Sequence, residues 1–73
     1  MVNNKITLKG LKAKTNKQLY CHLMHNGWEK EIITDMLRDC DIEVEYGLNL
    51  KQLVEKYHED ICECIFEEYQ NAY

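Results

Sequence analysis

The sequence predicts a small α+β domain of order β-α-α-β-α, a short two-stranded ribbon packed on three helices. An all-α three-helix domain is the alternative. Three observations carry this reading. Asn49 to Tyr69 is a long uninterrupted stretch with helical periodicity. Two shorter amphipathic stretches flank an Asn26-Gly27 turn signal. Two brief stretches, Lys5–Lys9 and Asp41–Tyr46, alternate polar and apolar residues as half-buried strands do.

The first strand is expected at Lys5-Ile6-Thr7-Leu8-Lys9 and stops at Gly10. Thr15 followed three positions later by Gln18 has the form of a capping box, opening a helix over 16–25 whose apolar side is Leu19, Tyr20, Leu23 and Met24. Asn26 followed by Glu29 repeats that spacing before a helix over 28–39, with a stripe of Trp28, Ile32, Ile33, Met36, Leu37 and Cys40. Trp28, the largest apolar side chain, is expected to anchor the helix junction. The second strand, Asp41–Tyr46, ends at Gly47. Its Glu43 and Glu45 would lie across from Lys5, Thr7 and Lys9, a complementarity worth about 0.2–1 kcal/mol per pair. The ribbon's apolar face would be Ile6, Leu8, Ile42, Val44 and Tyr46, covered by the helices because a lone hairpin is marginal.

The long helix opens at Asn49 with Gln52 as a further capping box. Its core stripe is Leu50, Leu53, Val54, Tyr57, Ile61, Cys64 and Ile65, at spacings of three and four. Two further faces stand out. Glu55, Glu59, Glu63 and Glu67 recur every fourth residue, with Asp60 beside them. Like charges at this spacing cost about 0.2–0.5 kcal/mol per pair in an isolated helix, so the ridge is either a solvated face or one that meets a basic surface, formed by the chain's own lysines or by a partner. His58, Cys62, Phe66, Tyr69 and Tyr73 form a second apolar stripe displaced from the first. A helix in so small a domain rarely buries two faces: this stripe is expected to meet a partner or a second copy of the chain, the alternative being that another segment of the chain covers it.

The chain has 73 residues, enough for one domain over 1–73 with a modest core. Apolar residues make up 45% and charged residues 30%, values of a folded chain. With no apolar run near the length of a membrane span and no signal-peptide pattern at the start, a cytoplasmic protein with no membrane partner is expected. The four cysteines are accordingly expected as reduced thiols, with Cys40 and Cys64 filling the core. Charge is polarised: residues 1–17 hold five lysines and no acid, while residues 41–73 hold nine acids and two lysines. Arg38 is the only arginine, and the net charge is −4, a poor composition for reading nucleic acid. The abundance of Lys, Asn, Ile and Tyr fits an AT-rich coding sequence, common among phage and mobile-element proteins.

The side chains suggest four chemistries. Cys21/His25 and His58/Cys62 are each i,i+4 pairs that a zinc ion could join, but Cys21 and His25 point away from Leu19 and Leu23, and no CxxC accompanies them; no metal and no cofactor is expected. Adjacent Cys21 and His22 cannot face each other on a helix, and no Gly-rich phosphate loop, GxSxG or HExxH occurs, so no enzyme is expected. The segment from Leu19 to Asp39 resembles the first part of a helix-turn-helix unit, yet the helix that would enter a groove presents Glu29, Glu31, Asp35 and Asp39 to phosphate. The expectation is therefore a small cytoplasmic protein that binds and modulates another protein bearing a basic surface. A nucleic-acid-handling host protein inhibited in the manner of phage proteins is the envisaged case. Its contact residues would be Glu55, Glu59, Glu63 and Glu67 with His58, Cys62, Phe66, Tyr69 and Tyr73. A homo-oligomeric scaffold and a DNA-binding regulator are the alternatives.

Overall fold

The computed structural model describes residues 6–71, and side chains to Gln70. Lys5 and Tyr73 lie outside them. The described residues form four helices and no strand, α1 (Leu8–Lys12), α2 (Asn16–His25), α3 (Lys30–Asp39) and α4 (Leu50–Asn71). The α+β expectation is thus corrected to an all-α domain, of the class held as the alternative but with one short helix more.

Each expected strand fails for a local reason. The strand pattern puts Thr7 on the polar face of the first strand. It is instead an N-cap, its hydroxyl accepting from the Gly10 N–H at 3.0 Å. Helical geometry then puts Leu8 and Leu11 one turn apart, and Leu11 is buried. Asp41, the expected start of the second strand, adopts φ 63° just after the α3 C-cap Cys40. Asp41 N–H donates to Arg38 O at 3.0 Å and Ile42 N–H to Leu37 O at 3.0 Å. These two bonds make a Schellman motif, with Ile42 folded back against the helix it terminates. Residues 42–45 continue as irregular backbone, and Tyr46 is 86% exposed.

The same motif closes α2. Gly27 sits at φ 74°, Trp28 N–H donates to Leu23 O at 2.9 Å, and Gly27 N–H to Met24 O at 3.3 Å. The expected capping box at Asn26 is therefore corrected: Asn26 is the C-cap of α2, its amide donating to His22 O at 2.7 Å. Helix α3 begins two residues later than expected, with Glu29 as an N-cap that makes no side-chain cap bond. The other two boxes form as read. Thr15 and Gln18 exchange bonds of 2.9 and 3.1 Å, Asn49 and Gln52 bonds of 3.0 and 2.8 Å.

Each of the three shorter helices packs on α4. The core takes Leu11 from α1, Leu19 and Leu23 from α2, Ile33 and Leu37 from α3, and Leu50, Leu53, Val54, Ile61 and Ile65 from α4. Ile32 and Met24, expected on apolar stripes, are exposed. Cys40, expected as core filler, is exposed too, whereas Cys64 is buried. Helix α4 is not one straight rod. Tyr57 has non-helical backbone (φ −120°, ψ 35°), although no proline or glycine interrupts the helix. The break falls where the Tyr57 hydroxyl donates to Glu43 O at 3.1 Å and accepts from Glu45 N–H at 3.0 Å. Lys56 pairs with Glu45 beside it. These bonds fasten the connection between α3 and α4 to the spine.

Two outcomes follow for stability. Asp41→Gly removes the steric cost of a left-handed residue and raises stability by about 0.5–1 kcal/mol in denaturant titration. Tyr57→Phe loses both hydrogen bonds to the 43–45 backbone and lowers stability by about 1–2 kcal/mol, with faster amide exchange confined to residues 41–49.

Candidate functional site

The acidic face and the second apolar stripe of α4 have opposite fates. Glu55, Glu59, Glu63 and Glu67 are all exposed, as a helix of this periodicity requires once Ile61 and Ile65 point inward. The break at Tyr57 takes Glu55 out of the row, because i,i+4 stacking needs helical backbone between the two residues. Glu55 instead lines a groove against α2 with Lys51, Lys17 and Tyr20. Glu59, Glu63 and Glu67 remain a continuous row, with Asp60 half-buried beside it. Among the described residues, one lysine of the basic N-terminal segment reaches this row: Lys12 Nζ lies 3.0 Å from Glu63 Oε2. The hydrogen bond to Glu63 holds the Lys12 ammonium above its ordinary range, and the charges of Glu63 and Glu59 add to the effect. The pair is solvent-exposed, of a kind that contributes little to stability.

The stripe of His58, Cys62, Phe66 and Tyr69 is turned into the protein. Cys62 is 0% exposed, and burial pushes its thiol up from the ordinary range. His58 Nε2 donates to Lys14 O at 2.9 Å, which sets that nitrogen as the protonated one, since a carbonyl only accepts. The Tyr69 hydroxyl lies 2.9 Å from His22 Nε2 and accepts from Trp28 Nε1 at 3.3 Å. Both rings meet Tyr69 edge-on, with centroids 6.1 and 6.3 Å away. Trp28 thus anchors the junction as expected, and its partner Tyr69 belongs to the stripe expected at an interface. Phe66 is half-buried and borders the row of glutamates as its neighbour in sequence. Helix α4 therefore buries two faces, because the chain before α3 lies across the second one.

Burial, with the charge of Lys14 next, holds His22 below its ordinary range. A neutral His22 accepts from the Tyr69 hydroxyl through Nε2, and Tyr69 keeps a lone pair for Trp28. Protonated His22 must donate through the same nitrogen, which leaves the Tyr69 proton without that acceptor.

No group of three or more His, Cys, Asp or Glu side chains converges among the described residues. Of the quartet spaced to take zinc, Cys21 and His25 are exposed on α2 while Cys62 is buried in the core. The sulfurs that do meet are Cys40 and Cys64, 3.4 Å apart. Sequence spacing signals neither this pair nor the His22–Tyr69–Trp28 cluster, because both join elements far apart in the chain. Arg38 stacks on the Tyr46 ring at 5.2 Å from its centroid. No described helix is long and apolar enough to cross a membrane. Comparison of the chain with protein-family models, curated proteins and solved structures finds no match.

The state of His22 gives a pH prediction. Its folded pKa is depressed, so the unfolded chain binds the proton more readily and stability falls as pH drops below about 6.5, the ordinary histidine value. The Tm at pH 5.5 is expected below that at pH 7.5, and His22→Gln flattens the slope between them. An equal slope in that variant assigns the pH dependence to other groups.

Proposed function

We propose that the chain is a small protein-interaction module whose acidic α4 face docks on a basic surface of another protein. The observation that supports it is the exposed row Glu59, Glu63 and Glu67, of which only Glu63 meets a cation among the described residues. Held four residues apart on a helix, these carboxylates repel one another by about 0.2–0.5 kcal/mol per pair, a cost that a cationic partner relieves on binding. Exposed Glu31, Asp35 and Asp39 on α3 extend the negative field beyond α4. The sole arginine is already engaged with Tyr46, which further disfavours direct phosphate recognition by this chain. Half-buried Phe66 offers an apolar contact at the edge of the row.

Within this reading, the partner is a protein that itself handles nucleic acid. Such a protein carries lysine- and arginine-lined surfaces for phosphate, and a rigid acidic helix is electrostatically complementary to them. Occupying that surface blocks the nucleic acid, which is the action of an inhibitor of the phage or mobile-element kind.

The test compares the wild-type chain with a Glu59→Lys/Glu63→Lys/Glu67→Lys variant, both checked for helicity by circular dichroism. Each is immobilised and used to capture proteins from the source cell's lysate at low and high salt. A partner retained by the wild type at low salt, released by salt, and bound at least about tenfold more weakly by the variant supports the reading. Identical capture by both proteins rejects it.

A further inference from the structure

The sulfurs of Cys40 and Cys64 lie 3.4 Å apart across 24 positions of sequence. Cys40 is the C-cap of α3 and is exposed; Cys64 is buried on α4. Two sulfurs in van der Waals contact need to close by only about 1.4 Å to reach the roughly 2.05 Å of a disulfide. The exposed Cys40 side chain has room to rotate for that approach. The remaining thiols are differently placed, Cys21 exposed on α2 and Cys62 inside the core.

We propose that Cys40 and Cys64 are a redox-modifiable pair, which a low-molecular-weight disulfide converts into an intramolecular disulfide fastening the end of α3 to α4. The oxidant, RSSR, has the chemistry of glutathione disulfide. Cys40, as its thiolate, attacks one sulfur of RSSR. A Cys40–SR mixed disulfide forms, the R–S–S–R bond breaks, and the departing RS⁻ takes up the proton that Cys40 lost. The Cys64 sulfur then attacks the Cys40 sulfur, expelling a second RS⁻, which receives the Cys64 proton. Two thiols lose two electrons and two protons in all, and RSSR is reduced to two RSH.

Exposure sets this order, since Cys40 is the member of the pair that solvent reaches. Burial, followed by the hydrogen bond to Cys40, pushes the Cys64 thiol up to about 12. Once Cys40 carries the mixed disulfide, that hydrogen bond and the Cys40 charge are gone, and Cys64 gives up its proton more readily for the attack. The bond would close the loop from Cys40 to Cys64, which holds the left-handed Asp41, the Tyr57 tether and the first turns of α4. Such a cross-link restricts the unfolded chain, and in a domain of this size it is expected to raise Tm on the order of 10 °C. The proposal rests on the thiol pair alone and is independent of what the acidic face binds.

The test uses the full chain, equilibrated with mixtures of reduced and oxidised glutathione, quenched with an alkylating agent, and followed by intact mass, peptide mapping and thermal unfolding. The expected result is the joint loss of two thiols, a linked peptide containing Cys40 and Cys64, and a rise in Tm reversed by dithiothreitol. Cys40→Ser, at an exposed position, shows neither the linked peptide nor the rise. Cys64→Ala, if it folds, holds the mixed disulfide on Cys40. A wild-type mixed disulfide that persists on Cys40, a cross-link through Cys21 in its place, or two thiols that remain alkylatable throughout would each overturn the proposal.

Discussion

Every substantial helix–helix packing in this domain involves α4. Helix α1 has five residues, and α2 and α3 have ten each. All three fall below the roughly 12–15 residues at which an isolated helix begins to persist in water. They are helical because caps close their ends and because Leu11, Leu19, Leu23, Ile33 and Leu37 reach a common apolar surface on α4. That dependence demands two buried faces of α4. One face alone is too narrow for three neighbours, so the stripe containing Cys62 and Tyr69 becomes a packing surface.

The consequence for function is subtractive. Once His58, Cys62 and Tyr69 are spent on holding α1 and α2 in place, the surface of α4 that stays free is the charged one. Of the aromatic residues that read as an interface in the linear pattern, Tyr69 serves the interior, while half-buried Phe66 borders the glutamate row. Tyr69 joins α2, the turn at Trp28 and α4 in one polar cluster. Carboxylates cannot be hidden without partners, so the glutamates stay outside and give the protein its chemical character.

What was legible in the sequence was whatever depends on residues within one turn of each other. The capping boxes at Thr15/Gln18 and Asn49/Gln52 formed as written, because each is a closed exchange of bonds across three residues. The core stripe of α4 was legible over six of its seven positions, Tyr57 being the half-buried exception that leaves the helix geometry to reach the 43–45 backbone. The short alternations misled. Five or six residues fit a strand period by chance, and the same letters carry an N-cap at Thr7 and a left-handed helix exit at Asp41. Aspartate tolerates that conformation with a local cost, but it does not announce it as glycine does at Gly27. Cys40 and Cys64 each lay on a recognisable stripe; which stripe edges would touch was not a property of either segment.

The sequence by itself determined the two ten-residue helices to within two residues at their ends, the long C-terminal helix, most of the residues that would be buried, and the acidic row that would not. These rest on periodicity, capping and the cost of burying charge, all local or additive. Only the tertiary structure decided that the segments before α2 and after α3 are not strands, that the second stripe of α4 faces inward, that Lys12 reaches Glu63, and that one exposed thiol meets one buried thiol. Those outcomes depend on which surfaces compete for α4, and that competition is settled by the volume available around one helix rather than by any stretch of chain read alone.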